Sequence, residues 1–289
     1  MSAVDAPAVR ARSAGRPGAA SLRLLRSELH LIMGRRRNQA GLLVLAAVPI
    51  LIAVAVKVSS PDPRHGGGDF LSAIASNGIF VALAAVNIEL ALFLPLAVAM
   101  LCGDTIAGEA NIGTLRYLLT VPVHRTRLLV VKYLSLVIGT FIGVLVVVVA
   151  GLVIGGILFG LGPVTLLSGN QVPLSDALWR LALAVLYLTV CLAGLATIGL
   201  FISTLTEQPI GAMIATVVVS TAMWILDGIP QLEWLHPWLL VDHWMAFADF
   251  FRDPIFTEGI QRGLLLTLAY AVVFLGLAWA RFSQKDITS

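Results

Sequence analysis

Six long apolar runs, at approximately 41–58, 80–102, 130–158, 178–202, 210–227 and 262–280, constrain this chain more than any other feature. Each is close to the ~20 residues that a helix needs to cross the hydrocarbon core of a bilayer. In lipid every backbone N–H and C=O must be satisfied within the protein, so apolar runs of this length read as helices. Composition agrees: 58% of the 289 residues are hydrophobic and 12% charged, with mean hydropathy +0.94. An average soluble domain has roughly 45–50% apolar and about 25% charged residues. A water-soluble fold could not hide that much apolar surface, and the expected class is an all-α membrane protein with six transmembrane helices over 38–282.

The flanks and charges set the expected layout. Residues 1–20, rich in Ala, Pro, Gly and Arg without apolar periodicity, read as a disordered tail. Over 21–37, Leu22, Leu25, Leu29, Ile32 and Met33 fall within a roughly 100° arc of a helix, beside Arg23, Arg26 and the Arg35 to Arg37 cluster. That pattern predicts an amphipathic interfacial (elbow) helix on the cytoplasmic face. The run after Arg37 is long for a signal sequence and lacks an A-x-A cleavage site, so an uncleaved anchor is expected. With both termini inside, 14 of the 19 Lys and Arg fall on inner segments, in keeping with the positive-inside rule. The expected cytoplasmic tail is 283–289.

Within the spans, the third run exceeds what a vertical crossing requires and should tilt or protrude. Its Gly139/Gly143 and Gly151/Gly155 pairs have the GxxxG spacing of close helix packing. Cys102 and Cys191 read as small core residues rather than a disulfide. The segment 228–260 carries Trp234, Trp238, Trp244, Phe247, Phe250, Phe251 and Phe256 among Pro230, Pro237 and Pro254. It is expected to form short helices at the outer interface, as a cap more than a gate.

Residues suited to chemistry are few. There is no G-x-x-x-x-G-K-[ST] phosphate loop, H-E-x-x-H or G-x-S-x-G, so no residue is assigned a catalytic role. His236 and His243, with Asp242, Asp249 and Asp253 nearby, could be imagined as a metal site. They read better as solvated interfacial residues, and no metal ligand is assigned. Glu89 lies inside the second run, two residues after Asn87. A charge there is costly, about 2.5–3.5 kcal/mol for comparable groups on insertion scales, so Glu89 must face protein, water or substrate. Asn87 and Glu89 are the candidates for a substrate pathway; a buried hydrogen bond fixing helix packing is the alternative for Glu89.

Between the second and third runs, on the basic side, lies DTIAGEANIGTLRYLLTVPVHRTRLLVVK, residues 104–132. Glu109, Gly113, Thr114, Leu115, Leu118, Leu119, Pro122, Arg125, Leu128 and Lys132 in this stretch resemble the E-x-x-x-G-T-L…L-L…P-x-x-R-x-x-L-x-x-x-K run of ABC-2-type permeases, the membrane-spanning subunits of ABC exporters. The basic helix before the first run and the Phe282…Asp286-Ile287 ending agree, and His124 stands where many members carry a small polar residue. The resemblance implies that 104–127 is a coupling segment resting in a cleft of a separate nucleotide-binding subunit. Leu115, Leu118 and Leu119 would form its apolar ridge, with Glu109, Arg116 and Arg125 among its polar contacts and Gly113 allowing close approach or a bend.

The resemblance further implies an exporter in the plasma membrane that works as a pair of permease chains, identical or similar, with two ATPase subunits. ATP and Mg2+ would belong to those partners and no cofactor to this chain. Membrane lipid is an expected partner and nucleic acid is not. A small hydrophobic or amphiphilic substrate, drug-like or lipid-like, suits short-looped spans. Two other classes stay open: a proton-coupled secondary transporter using Glu89, and a non-transporting membrane anchor or sensor.

Overall fold

The computed structural model of the chain describes residues 17–59, 77–113 and 125–284. The described residues are predominantly helical, with one short hairpin and the connecting turns. Among the described residues eight α-helices run in order: α1 (Pro17–Gly34), α2 (Arg36–Ser59), α3 (Gly78–Ala91), α4 (Phe93–Asn111), α5 (Arg125–Phe159), α6 (Leu174–Leu205), α7 (Pro209–Asp227) and α8 (Thr257–Gln284). Six of them, α2 and α4 to α8, are long and apolar enough to cross a membrane, the build of a multi-pass membrane protein.

Several boundaries differ from the sequence expectation for local reasons. Helix α1 begins at Pro17, so the last four residues of the expected tail are helical, and residues 1–16 lie outside the described residues. Proline suits a first helical turn, where its missing N–H would have no partner. The chain breaks its helix at Arg35, and Arg36 and Arg37 already belong to α2. The second apolar run is two helices divided at Leu92, whose φ of −146° is not helical. Pro95 accounts for the division: it has no N–H for the Ala91 carbonyl and its ring crowds that carbonyl. The expected tail from 283 is still helical through Gln284, and 285–289 lie outside the described residues.

Helix α6 is the central post and the most buried of the six long helices. Small residues let its neighbours approach: a Cβ on Gly199 would sit 2.6 Å from Cys102 Sγ, and one on Gly194 would sit 3.0 Å from Thr267 Cγ2. Cys102 and Cys191 are free thiols in this core. Helices α3 and α5 cross backbone to backbone, since a Cβ on Gly155 would run into the Gly78 carbonyl oxygen and one on Gly151 would lie 2.6 Å from Ala82 Cα. The Gly151/Gly155 pair thus serves helix packing. The outer helices α2, α7 and α8 leave Leu43, Leu51, Ile214, Val218, Leu265 and Val272 exposed, as lipid contact requires.

The two ends of the bundle differ. At the Phe159 end of α5, β1 (Val164–Thr165) and β2 (Gln171–Val172) form a two-stranded antiparallel hairpin that sequence periodicity did not indicate. Gly169 turns it with φ 86°, a conformation open to glycine at little cost. Three 3-10 segments, Pro230–Leu232, His236–Trp238 and Asp242–Phe251, sit at the same end. The Leu167 N–H donates to the Phe251 carbonyl at 2.9 Å, Arg180 donates to the Phe250 and Arg252 carbonyls at 2.8 and 2.9 Å, and the Tyr187 hydroxyl donates to the His243 carbonyl at 2.7 Å. Trp244, Phe247 and Phe251 are buried, whereas Trp234 and Trp238 face outward. The His236 and His243 imidazoles each bond a backbone carbonyl at 3.2 Å, and His243 Nδ1 lies 3.7 Å from the Asp242 carboxylate; no group of three or more metal-binding side chains occurs among the described residues.

Candidate functional site

The opposite end, where α4 finishes and α5 begins, gathers most of the buried charge. Helix α4 closes with Asp104, Thr105 and Glu109, and α5 carries Lys132 two turns after its start. Lys132 is almost fully buried, 1% exposed, and its ammonium lies 2.7 Å from Glu109 Oε1. It also reaches both carboxylate oxygens of Glu28 on α1 at 3.4 Å and the Thr105 carbonyl at 3.4 Å. An ammonium has three protons to donate, and in this site it has acidic or carbonyl partners on three sides. Buried ions demand such pairing, because taking a charge out of water costs several kcal/mol even after relaxation.

A second ion pair lies beside the first. Asp104 pairs ionically with Arg35 at 2.8 Å and accepts a hydrogen bond from Arg37, so one carboxylate on α4 holds both sides of the α1–α2 joint. Gly108, one turn on, leaves room for Arg35, whose Nη1 would be 3.6 Å from a Cβ there. The Asn38 amide donates to the Ile32 carbonyl at 2.9 Å and the Gln39 amide to the Met33 carbonyl at 2.9 Å. These bonds satisfy carbonyls left open where α1 stops. An open recess of about 620 Å³ beside this pair is lined by Arg35, Arg37, Asp104, Gly108, Gln208 and Pro209, among others.

Three of the motif residues expected to couple are described. Glu109 points inward to Lys132, so the first and last residues of the motif form one ion pair and close the segment between them. Gly113 ends α4 with φ 72° and open space around it, which makes it a left-handed helix stop and the bend its position suggested. Arg125 donates to the Phe282 and Ser283 carbonyls at 3.1 and 2.7 Å. It thereby caps the C-terminal end of α8, where the helix carries partial negative charge. Trp279 adds a bond from its indole N–H to the Thr126 hydroxyl at 2.9 Å. Thr114, Leu115, Arg116, Leu118, Leu119 and Pro122 lie outside the described residues.

Asn87 and Glu89 are not brought together. Two residues apart on one helix they face different ways: Asn87 is exposed and its amide approaches Met245 Sδ at 3.3 Å, whereas Glu89 is 0% exposed. Neither carboxylate oxygen of Glu89 has a hydrogen-bond partner. The acid sits in the last turn of α3, and its own carbonyl takes the Leu92 N–H at 3.3 Å across the helix break.

Sequence reasoning missed Glu28 and Asp104 as partners of the basic residues. A signal was there: Glu28 is the only acid among the residues of α1, beside its apolar stripe, where an exposed position would have suited a base. Helix α1 turns the Leu24, Glu28 and Ile32 side inward and leaves Leu22 exposed, so its inward face is rotated from the purely apolar arc.

A family model described as "Protein of unknown function (DUF2705)" matches residues 49–288. The chain belongs to that family. The DUF2705 match runs from within α2 to beyond α8 and takes in Glu89, Glu109 and Lys132, while Glu28, Arg35 and Arg37 precede it. No curated protein matches this DUF2705 member.

Proposed function

We propose that this chain is the permease subunit of an ATP-driven exporter of the ABC-2 type, residing in the plasma membrane with α1 as its interfacial elbow helix and both termini cytoplasmic. Two such chains, identical or similar, would work with two copies of a separate nucleotide-binding subunit that holds ATP and Mg2+. The cargo would be a small hydrophobic or amphiphilic compound. The observation that carries the reading is the Glu109–Lys132 ion pair. It joins the two ends of the coupling motif inside the bundle and, through Glu28, fastens them to α1. Motion imposed on the segment by a partner would thus reach α1, α4 and α5 together. The recess beside Asp104 offers an adjoining surface for the same partner.

The test is co-purification in detergent with the ATPase subunit encoded beside this chain. Wild type is expected to bring down the ATPase stoichiometrically, and Leu115→Asp with Leu118→Asp to lose it while melting at the wild-type temperature. Failure of wild type to retain any ATPase would overturn the proposal.

Glu89 favours a second reading, a proton-coupled carrier, because a buried acid without a partner beside a broken helix suits a group that takes up and releases a proton. In proteoliposomes that reading expects transport to follow an imposed pH gradient without ATP and to stop in Glu89→Gln. Transport that ignores the gradient would exclude it.

A further inference from the structure

A second cavity lies inside the bundle, next to the α1–α2 joint and independent of the ATPase reading. It is bounded by the end of α1, the first turns of α2, the first half of α4 and the middle of α5. Glycines at 41, 139 and 143 keep it open. It is narrow, about 40 Å³, and Gly41 and Leu42 at its rim are partly exposed, so it reaches the surface.

Two polar side-chain atoms in the wall have no partner. Asn38 is 6% and Thr140 3% exposed, and neither Asn38 Oδ1 nor Thr140 Oγ1 makes a hydrogen bond. The Asn38 amide nitrogen is already used on the Ile32 carbonyl, which leaves its oxygen as a fixed acceptor. Among the described residues Thr140 shares the lack of a partner with one other buried helical hydroxyl, Ser220 on α7, and of the two only Thr140 lines this cavity. Thr105, Ser135, Thr189, Thr197, Thr204 and Thr216 each donate back to a carbonyl three or four residues earlier, at 2.6 to 2.8 Å, the usual solution in a buried helix. Leaving two such groups unsatisfied costs about 1–3 kcal/mol each, so their arrangement calls for an occupant.

The chemistry of that occupant follows from the wall. No charged side chain lines the cavity, and apart from the two polar groups it is formed by residues such as Leu42, Leu45, Leu94 and Val98. A site of this size would hold about three waters at roughly 10–15 Å³ each, but every buried water needs two to four polar partners, more than this wall supplies. A single hydroxyl both donates and accepts, matching the Asn38 oxygen and the Thr140 hydroxyl, while methylenes fill the apolar remainder. We propose that this cavity binds the hydroxyl end of an uncharged, single-chain aliphatic alcohol, holding it between α2 and α5.

The test uses the full chain in detergent with a diazirine-bearing long-chain alcohol as the photoaffinity probe and 1-decanol, decane and decanoate as competitors. Labelling is expected to saturate, to map to α2, α4 or α5 around the cavity, and to be competed by 1-decanol at roughly tenfold lower concentration than by decane or decanoate, about the weight of one well-placed hydrogen bond. Thr140→Val should cut saturable labelling about tenfold. Gly143→Ala should abolish it, because the added methyl fills the space yet meets only Leu45 Cδ1 at 3.6 Å, an ordinary contact. Gly41→Ala, with Met100 Cε at 3.6 Å, is the alternative filler if Gly143→Ala melts early without probe. Unsaturable labelling, equal competition by decane, or labelling unchanged in the filled variants would overturn the proposal.

Discussion

Removing the Lys132 ammonium is the sharpest perturbation of the ionic site. At an effective dielectric near 20, its attraction to Glu109 at 2.7 Å is about 6 kcal/mol and to Glu28 at 3.4 Å about 5 kcal/mol. Desolvation of all three ions, several kcal/mol each, offsets most of that sum. What remains decisive is asymmetry: deleting one partner strands the others. Lys132→Met, similar in length, should destabilise by about 3–5 kcal/mol because two carboxylates stay buried without their cation. The variant with Glu28→Gln, Glu109→Gln and Lys132→Met together should return to within about 2 kcal/mol of wild type, since no uncompensated charge is left. Equilibrium unfolding in mixed micelles, followed by tryptophan fluorescence, measures both. If Lys132→Met is within about 0.5 kcal/mol of wild type, or if the three substitutions add up independently, the ammonium does not organise this site.

Other perturbations probe separate features. Glu89→Leu should raise stability by about 1 kcal/mol or more in the same unfolding assay, since it replaces a buried acid without a partner by a hydrocarbon of similar size. Gly155→Ala places a Cβ against the Gly78 carbonyl and should cost about 1–3 kcal/mol from overpacking. Gly276→Ala, in exposed helix with nothing within 4 Å, should instead gain about 0.5–1 kcal/mol. Arg125→Ala removes the cap on α8 and should speed hydrogen exchange of the amides in its last turn, with exchange in α6 unchanged.

The spans were legible because membrane crossing is written locally: each apolar run is contiguous and its length carries the signal. The break at Leu92 was not seen in those terms, since hydropathy is continuous through 80–102 and only Pro95 marks the change. The pairing of Glu109 with Lys132 was available as two motif positions, but nothing in the motif says that they meet. Glu28 and Lys132 are 104 residues apart, and such a contact depends on how α1 lies against α5, a property of packing. The cavity was beyond sequence reading for a similar reason: Asn38 and Thr140 become notable only once their usual partners are seen to be engaged elsewhere or unused.

Helix α5 has 35 residues and so is about 52 Å long, well over the ~30 Å of hydrocarbon it would cross. Its tightest contact is not at the middle. The crossing with α3 at Gly151 and Gly155 leaves about 42 Å of rod on the Arg125 side, with Lys132 about 30 Å from the crossing, and about 9 Å on the Phe159 side. Rocking about that crossing makes α5 an unequal lever: a tilt of about 5° would carry Lys132 nearly 3 Å while the hairpin end shifts by less than about 1 Å. Large strokes at the ionic end and small ones under the aromatic cap would then be two readings of a single rotation.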